Sequence, residues 1–213
     1  MMYYTLKRFF DILLSAFAVV VLSPVFLLAG IGIIISSPGP ILFKAKRVGR
    51  NGKPFVMYKF RTMHLNNEKG HMITLRTDNR IFPFGRFLRN SKIDELPQLI
   101  NILQGSMSIV GWRPEDIENA KKVFKGKYKK ILRIKPGLTS PGSLYDYTYG
   151  ETFEDESTYE KEFLPIKMEL ELYYSKQQSI WYDFELIART VQTILQTLLG
   201  KSSFEAPKEL HKI

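Results

Sequence analysis

The stretch from Ile12 to Phe43 contains no charged residue, and most of its first 24 residues, Ile12–Ile35, are strongly apolar. A straight helix of that length would reach about 36 Å and could cross a bilayer core of about 30 Å. Pro24 lies near the middle, where it removes one helix hydrogen bond and clashes with an earlier carbonyl. The apolar run continues beyond Ser23-Pro24, which argues against a cleaved signal peptide. The sequence therefore predicts a retained membrane helix with a kink at Ser23-Pro24.

Basic residues flank this stretch on both sides. Lys7 and Arg8 precede it, and the basic residues that follow it are Lys44, Lys46, Arg47, Arg50 and Lys53. Positive residues favour the cytoplasmic side, so a re-entrant helix that bends at Ser23-Pro24 and returns to the same face satisfies both flanks. The Ser23 hydroxyl is then a candidate to cover the carbonyl that the proline leaves free. A single-span anchor is the alternative, because prolines also occur within spanning helices.

Asp11 lies at the membrane boundary, three residues after Arg8 and four after Lys7. Opposite charges at these spacings meet on one face of a helix. The spacing therefore predicts a local ion pair with a structural role.

The composition limits the chemistry and the partners. The 213 residues carry a formal charge of +10, which favours anionic partners such as nucleic acid, anionic lipid or a phosphorylated substrate. There is no cysteine, which excludes disulfides, thiolate metal sites and a cysteine nucleophile. His64, His71 and His211 show no metal-ligand spacing, which argues against a histidine-based zinc site or a Ser-His-Asp triad.

Two short extended pieces follow the membrane stretch, with the turn signal Asn51-Gly52 between them. Residues 55–63 alternate as a half-buried strand does, with Lys59 and Arg61 on one face. That basic face is either a solvated surface or a strand edge that faces phosphate.

Three further segments carry helical patterns. Phe82–Asn90 is predicted to be an amphipathic helix on the membrane surface, with Arg86 and Arg89 toward headgroups or substrate. The span from Glu115 to Lys135 is predicted to be a strongly basic helix, usually a solvated face but able to bind anionic lipid beside a membrane anchor. An apolar stripe from Trp181 to Leu198 predicts a C-terminal amphipathic helix, either core or interfacial.

These patterns predict an α+β fold, in which a re-entrant membrane helix carries a small cytosolic domain of amphipathic or interfacial helices and a few short strands. We expect the membrane helix and its turn in residues 1–40 and the cytosolic catalytic domain in residues 41–200. The polar tail, residues 201–213, is expected to be disordered.

The centre of the chain is predicted to be the stretch Ile93–Leu99, in which two adjacent carboxylates precede an apolar helix pattern. The residues at helical spacing are Leu96, Leu99, Ile100 and Leu103. Pro97 is tolerated near a helix start, which puts Asp94 at or next to the N-cap. A helix N-terminus offers free N–H groups and a positive dipole end to a phosphate. In the alternative interpretation, Asp94 only caps the helix and Glu95 only faces water.

Basic residues surround the two carboxylates in the sequence: Arg80, Arg86, Arg89, Lys92 and Arg113. Two carboxylates among arginines can hold a metal ion while the arginines hold an anionic substrate. Arg113 is the charged side chain of the Gly111–Pro114 loop, and its planar fork suits a diphosphate.

This combination of segments resembles the small bacterial sugar transferases, the monotopic phosphoglycosyl transferases that begin surface glycan assembly. The matching pieces are Lys7-Arg8 with Asp11, Ser23-Pro24, Tyr58-Lys59-Phe60-Arg61-Thr62-Met63, Asp94-Glu95-Leu96-Pro97-Gln98-Leu99, Gly111-Trp112-Arg113-Pro114 and Pro136-Gly137-Leu138-Thr139. They occur in the order of that family and cover most of the chain up to Thr139. The Asp-Glu-Leu-Pro-Gln motif is the specific one among them.

The resemblance implies a re-entrant membrane helix broken at Ser23-Pro24, and transfer of a sugar phosphate from a UDP-sugar to a polyprenyl phosphate, typically undecaprenyl phosphate, with release of UMP. It implies that Asp94 is the nucleophile, forming a covalent phosphosugar intermediate, and that Mg²⁺ is bound by Asp94 together with the diphosphate. Glu95 would assist as general base or as a group that orients the metal.

The same resemblance assigns substrate contacts. Arg113 would contact the nucleotide or diphosphate, and Arg89 would lie near the lipid phosphate. Lys59 and Arg61 are further candidates for substrate binding. Arg86 is another candidate, because it lies on the predicted amphipathic helix.

The expected partners are a UDP-sugar, a polyprenyl phosphate and anionic membrane lipid. No nucleic-acid fold signature is present, so nucleic acid is not expected as a partner, and a homodimer is left open. The expected location is the bacterial inner membrane, with the catalytic domain facing the cytosol.

The sequence also departs from the family pattern. Trp112 stands where proline is more common, and Ser140-Pro141-Gly142 follows Thr139 where many members continue with glycine. Glu171 occupies a position where aspartate is expected, and Asp183 fits that role better. These changes leave the sugar open, including whether the donor carries a hexose or an N-acetylated sugar. A non-catalytic, membrane-anchored protein that binds anionic lipid or polymer is the alternative function.

Overall fold

A computed structural model describes residues 2–65, 80–149, 158–201 and 203–213. The helices are α1 (Met2–Val21), α2 (Ser23–Ser36), α3 (Pro83–Asn90), α4 (Gln98–Gln104), α5 (Ile117–Val123), α6 (Pro141–Tyr149), α7 (Leu164–Lys176, preceded by a π-helical turn at Tyr159–Phe163) and α8 (Ile180–Leu198). Short 3₁₀ helices occupy Arg50–Gly52, Ile93–Glu95, Gly126–Arg133 and Lys208–Lys212. The strands are β1 (Leu42–Val48), β2 (Pro54–Phe60), β3 (Ser108–Val110) and β4 (Gly137–Thr139). The predicted mixture of helices and a few short strands is confirmed.

The apolar N-terminal stretch forms two helices, α1 and α2, that meet at an angle of 60°. The Ser23 hydroxyl donates to the carbonyl of Val20 over 2.8 Å. Val20 lies four residues before Pro24, so its carbonyl is the one that the missing proline N–H leaves free. The predicted kink and the predicted role of Ser23 are both confirmed.

No single helix in the described ranges is both long and apolar enough to cross a bilayer, although the bent pair α1–α2 meets that criterion when its halves are taken together. Such a pair fits either a broken span or a re-entrant loop. The choice between the two stays a prediction.

Asp11 attaches α1 to the rest of the protein. Its Oδ1 accepts hydrogen bonds from the Ser108 hydroxyl, at 3.1 Å, and from the backbone N–H of Ile109, at 2.9 Å. In the described residues it makes no ion pair with Lys7 or Arg8, so the predicted local pair is wrong. Asp11 is only 5% exposed. A buried carboxylate needs hydrogen-bond donors, and β3 supplies them. An ion pair on the helix surface would not satisfy a carboxylate that is buried.

Lys7 and Arg8 also bind distant parts of the chain. Lys7 Nζ lies 2.7 Å from Asp183 Oδ2 on α8. Arg8 donates to the carbonyls of Ile102 and Leu103, near the end of α4, where unpaired carbonyls favour a cation. Three side chains from one face of α1 thus join this helix to the rest of the protein.

The two small sheets differ in direction. β1 and β2 form an antiparallel hairpin in which Leu42 pairs with Phe60 and Val48 with Pro54. The predicted Asn-Gly turn connects them, with Asn51 at a φ of 58°. β3 and β4 are parallel and run beside the main core. The buried apolar residues of that core are Val48, Val110, Trp112, Ala120, Phe124, Ile131, Ile134, Leu144, Met168, Leu172, Tyr174 and Leu186.

The predicted long basic helix from Glu115 to Lys135 is wrong as a single element. The chain forms α5 and then a separate 3₁₀ helix at Gly126–Arg133. α5 ends at Val123, and Gly126, which has a φ of 51°, is the first residue of the 3₁₀ helix, so the segment forms two elements. The break lets Phe124 and Ile131 both point into the core.

The C-terminal helix α8 is confirmed, but the tail after it is not the disordered segment that was expected. The Glu209 carboxylate is buried and forms a bidentate pair with Arg189 of α8, with bonds of 2.6 and 3.2 Å. The Tyr182 hydroxyl donates to the same carboxylate over 2.9 Å. The polar tail can pack in this way because the Glu209 carboxylate pairs with Arg189, whose position is fixed on α8.

Candidate functional site

Asp94 and Glu95 lie on the 3₁₀ helix Ile93–Glu95, between α3 and α4. The prediction that Asp94 caps the apolar helix is wrong, because α4 begins at Gln98 with Pro97 at its N-cap position and no side-chain cap bond. The 3₁₀ turn is entered through Lys92, which has a φ of 57°. A left-handed lysine is strained, and such strain persists only where the surroundings fix it.

Glu95 is held by two cations. Its Oε1 accepts a hydrogen bond from Lys59 Nζ and another from Arg113 Nη2, both at 2.9 Å. Burial favours the protonated form of Glu95, but the charges of Arg113, Lys59 and Lys92 outweigh it and hold its pKa well below the usual range. Glu95 is therefore a fixed anion, and the interpretation in which it only faces water is wrong.

Asp94 has a different environment. Its side chain is 6% exposed, yet among the described residues its carboxylate makes no hydrogen bond and no ion pair. Burial raises the pKa of Asp94, against the opposing charge of Lys59. A carboxylate with a raised pKa is more basic, and basicity accompanies nucleophilic strength once the group is ionised. Two neighbouring carboxylates thus differ: cations fix Glu95, whereas no described residue forms a hydrogen bond or an ion pair with Asp94.

Arg113 connects this pair to a third carboxylate. Its Nη2 binds Glu95, and its Nε lies 3.2 Å from Asp146 Oδ2 on α6. The charge of Glu95 is the main cause that raises the pKa of Arg113, so the guanidinium stays charged. Asp146 was not among the predicted residues. The signal that could have found it is a lone carboxylate within α6, directly after the Pro136–Thr139 motif.

Lys92 was named in the sequence analysis only as part of the basic surroundings. Its ammonium lies 4.4 Å from the centre of the Tyr147 ring, over the ring face. Burial lowers the pKa of Lys92, while the charge of Glu95 opposes that change. The short segment Lys92–Glu95 therefore places the Lys92 ammonium and the carboxyl groups of Asp94 and Glu95 in one cluster.

Glu171 on α7 supports the loop that carries Arg113. Its Oε1 accepts from the backbone N–H of Arg113, at 3.1 Å, and from the Ser140 hydroxyl, at 2.8 Å. Its Oε2 is buried without a hydrogen-bond partner. Burial raises the pKa of Glu171 to about 7. The structure therefore puts Glu171, and not Asp183, beside the Arg113 loop.

Arg61 is not brought to this cluster. Its guanidinium is buried against the turn after α2, where it donates to the Pro40 carbonyl and the Ser37 hydroxyl, each over 2.7 Å, and also to the Ser37 carbonyl. The predicted alternation placed it on the face of Lys59, but β2 ends at Phe60, so the alternation stops before Arg61. In this position the side chain fixes a turn.

The two arginines of α3 occupy different positions. Arg86 is exposed to solvent. Arg89 is half-buried, and its charge lowers the pKa of Asp94, so the two charges are near each other. Asp183 lies under α1, where it receives Lys7 and the hydroxyls of Tyr3 and Tyr174. These contacts fix α1 to α8.

Among the residues that the structure describes, no group of three or more His, Asp or Glu side chains gathers as a metal cage. Magnesium is commonly held by one or two carboxylates together with substrate phosphates, and not by a dedicated protein cage. The Asp94 carboxylate, which has several cations nearby and no hydrogen-bond or ion-pair partner among the described residues, fits an ion that shares its coordination with a phosphorylated substrate.

Comparison with known proteins shows which family the chain belongs to. The profile of the family described as bacterial sugar transferase matches residues 2–197. The UDP-glucose:undecaprenyl-phosphate glucose-1-phosphate transferase of Escherichia coli K12 is 36% identical over 190 residues, which are 87% of this chain and 39% of that protein. The enzyme of the same name from Caulobacter vibrioides is 34% identical over 90% of this chain and 70% of its own length.

A third relative differs in its sugar. The UDP-N-acetylgalactosamine-undecaprenyl-phosphate N-acetylgalactosaminephosphotransferase of Aeromonas hydrophila is 34% identical over 91% of this chain and 44% of its own length. The chain thus spans about two fifths of the Escherichia coli and Aeromonas relatives. A profile match across nearly the whole chain shows that it belongs to the bacterial sugar transferase family.

Proposed function

We propose that this protein transfers a sugar-1-phosphate from a UDP-sugar to a polyprenyl phosphate, typically undecaprenyl phosphate, with release of UMP. The reaction would be the first membrane step of surface glycan assembly, for capsule, O-antigen or a glycoprotein glycan. The observation that carries the proposal is the contrast between the two carboxylates. Asp94 is free to react, whereas Glu95 is held by Lys59 and Arg113.

The proposed chemistry has two steps. In the first, an oxygen of the Asp94 carboxylate attacks the phosphorus that bears the sugar, and the bond from that phosphorus to the UMP oxygen breaks. UMP leaves as an anion, and a phosphosugar remains covalently bound to Asp94. In the second step, a phosphate oxygen of the polyprenyl phosphate attacks the same phosphorus. The bond to Asp94 then breaks, which restores the carboxylate and releases the polyprenyl diphosphate sugar.

The surrounding residues supply positioning and charge. Both substrates are anions, so most of the catalytic effect must come from neutralising and orienting phosphate oxygens. Arg113 and Lys59 bind the nucleotide or diphosphate from the positions that Glu95 fixes, and Arg89 binds the lipid phosphate. Glu95 acts by holding these cations and assists as a base or by orienting the metal. Mg²⁺, when bound by Asp94 and the diphosphate, supplies further charge neutralisation.

The direct test is UMP release from the detergent-purified protein with undecaprenyl phosphate, Mg²⁺ and a panel of UDP-sugars. We expect UMP from one sugar and none after chelation with EDTA. The panel must contain both UDP-glucose and UDP-N-acetylgalactosamine, because relatives of similar identity are named for each. UMP release that persists in EDTA would contradict the role of Mg²⁺.

The alternative is a membrane-anchored protein that binds anionic lipid or polymer without chemistry. This alternative predicts that no UDP-sugar gives UMP release and that the protein binds different phosphorylated ligands with similar affinity. The matching experiment incubates the protein with a radiolabelled UDP-sugar but no polyprenyl phosphate. A labelled protein band would support the covalent intermediate, and its absence with every sugar would favour the binding function.

The membrane topology is a separate proposal. Residues 1–40 are proposed to enter the cytosolic leaflet and return, leaving residues 41–200 on the cytosolic side. The chain has no cysteine, so single cysteines at residues 2 and 46, which are both exposed, can be labelled against a blank background. We expect both to react from the cytosol, for example in inside-out vesicles. Labelling of either residue from the opposite side would contradict the re-entrant arrangement.

A further inference from the structure

We infer that Glu171 is a positioning residue that sets the place of Arg113 through its backbone, and that it does so more firmly when it is ionised. The inference rests on the proposed function only in its kinetic part. Glu171 touches neither Asp94 nor Glu95 in the described contacts, and it acts through the loop that follows β3.

The contacts of Glu171 all point to that loop and its neighbour. Oε1 accepts from the Arg113 backbone N–H and from the Ser140 hydroxyl. The Ser140 hydroxyl also receives the backbone N–H of Ser143, at 2.8 Å, at the start of α6. One carboxylate oxygen therefore joins α7 to the Arg113 loop and to α6. Since α6 carries Asp146, both ends of the Arg113 ion pair depend on it.

The space around Glu171 leaves little room for another arrangement. A Cβ added to Gly142 would lie 2.6 Å from Glu171 Oε1 and 2.7 Å from its carboxyl carbon. The side chain is 2% exposed. Gly142 thus provides the space that the Glu171 carboxyl group fills.

Two charged groups act on Glu171 in opposite directions. Lys167, one turn earlier on α7, favours its ionised form, and Glu115 disfavours it. Lys167 is itself paired with Glu115 at 3.0 Å, so its charge is partly neutralised. The second oxygen, Oε2, has no hydrogen-bond partner. A carboxylate with one satisfied oxygen, buried among weakly compensating charges, titrates near neutral pH, and burial raises its pKa to about 7.

The protonation state changes the strength of the two bonds. Hydrogen bonds to an ionised acceptor are roughly twice as strong as those to a neutral one. When Glu171 takes a proton on Oε2, the new O–H group has no acceptor among the described residues. When the proton binds to Oε1, it displaces one of the two donors that Oε1 accepts from, the Arg113 N–H or the Ser140 hydroxyl. The Arg113 loop is therefore held best above pH 7. This predicts transfer activity that rises through neutral pH.

The kinetic test compares Glu171→Gln with the wild type across pH 5.5 to 8.5. Glutamine keeps an acceptor oxygen but cannot ionise. We expect wild-type kcat/KM for the UDP-sugar to rise about fivefold through neutral pH, and that rise to be missing in Glu171→Gln. Glu171→Ala should lose about 10²-fold at all pH values, since a small misplacement of a positioned group has effects of this size. Glu171→Asp should recover part of the activity and the pH dependence.

The matched control is Glu169→Gln, two residues earlier on the same helix. Glu169 binds Tyr128 and Lys127 on the outer side of α7, so its neutralisation should leave the kinetic pH profile unchanged. A neutral-pH rise that persists in Glu171→Gln, or that is lost equally in Glu169→Gln, would overturn the inference.

A second measurement needs no substrate and separates this inference from the proposed function. A carboxyl whose folded pKa lies above its unfolded value binds a proton more tightly when folded, so ionisation destabilises the fold as pH rises from about 4.5 to about 7. The apparent Tm of the wild type should therefore fall relative to Glu171→Gln over this range, by about 5 °C. Parallel Tm curves would show that Glu171 does not titrate there. If the Tm curves diverge but no UMP is released, the proposed function fails and the titration of Glu171 stands.

Discussion

The Asp94→Asn variant is expected to lose at least about 10³-fold in UMP release while keeping its stability, because loss of a nucleophile removes the covalent route altogether. Asparagine has the same shape, and no described side chain loses a partner when the Asp94 charge is removed. The pKa of Asp94 is raised by burial, so its ionised form does not stabilise the fold. The measurements are steady-state UMP release, trapping of labelled phosphosugar on the protein, and the apparent Tm.

Two comparisons make this result specific. Asp116→Asn removes a carboxylate that caps α5 through the N–H groups of Glu118 and Asn119. Because asparagine caps a helix about as well as aspartate, it should change the stability by less than about 0.5 kcal/mol and leave UMP release unchanged. Glu95→Gln should reduce both activity and stability, because Lys59 and Arg113 lose the negative charge that they share, although an acceptor oxygen remains. If Asp94→Asn forms the labelled adduct at the wild-type rate, Asp94 is not the nucleophile.

The Gly137→Ala variant is expected to show the largest loss of stability among single methyl additions at the glycines discussed. The added Cβ would lie 2.1 Å from the backbone nitrogen of Gly111 and 2.6 Å from its Cα. Backbone atoms of a paired strand cannot move aside without separating β3 from β4. We expect a loss of about 3 kcal/mol or more. For a domain of this size, that loss corresponds to a fall of about 6 to 12 °C in apparent Tm, measured by circular dichroism in detergent.

Gly52→Ala is the matched control for this substitution. Gly52 has a φ of +76°, but no atom lies within 4 Å of the place that its Cβ would take. Its replacement tests conformational strain alone and should lower the stability by about 1 to 2 kcal/mol. A Gly137→Ala protein that melts at or above the temperature of Gly52→Ala would show that β3 and β4 can separate at little cost.

The local features of the fold were predictable because each depends on neighbours in the chain. The proline break, the Ser23 bond to Val20 and the Asn51-Gly52 hairpin turn all act over four residues or fewer. The amphipathic helices at Phe82–Asn90 and along the C-terminal stripe follow from the helical repeat. Where a local rule failed, a local breaker explains it. Gly126 divides the basic segment, and the end of β2 removes Arg61 from the face of Lys59.

The partners of the charged side chains were not predictable, because they come from distant parts of the chain. Asp11 accepts a hydrogen bond from β3 and forms no ion pair with its helical neighbours among the described residues. Lys7 forms an ion pair with Asp183 on α8. Asp146 gave no signal of its own beyond being a lone carboxylate in α6. Its contact with Arg113 exists only because α6 packs against the loop after β3.

By itself, the sequence determined the kinked apolar helix, the alternation of short strands with helices, and the motif that contains Asp94 and Glu95. These depend on backbone geometry and on residue order, which a linear pattern records. The tertiary structure alone decided that Lys59 and Arg113 fix Glu95, that no described residue pairs with the Asp94 carboxylate, and that Glu171 supports the Arg113 loop. The physical reason is that burial and charge pairing depend on which segments meet in space, and two adjacent carboxylates of similar chemistry acquire different roles only from what packs against each.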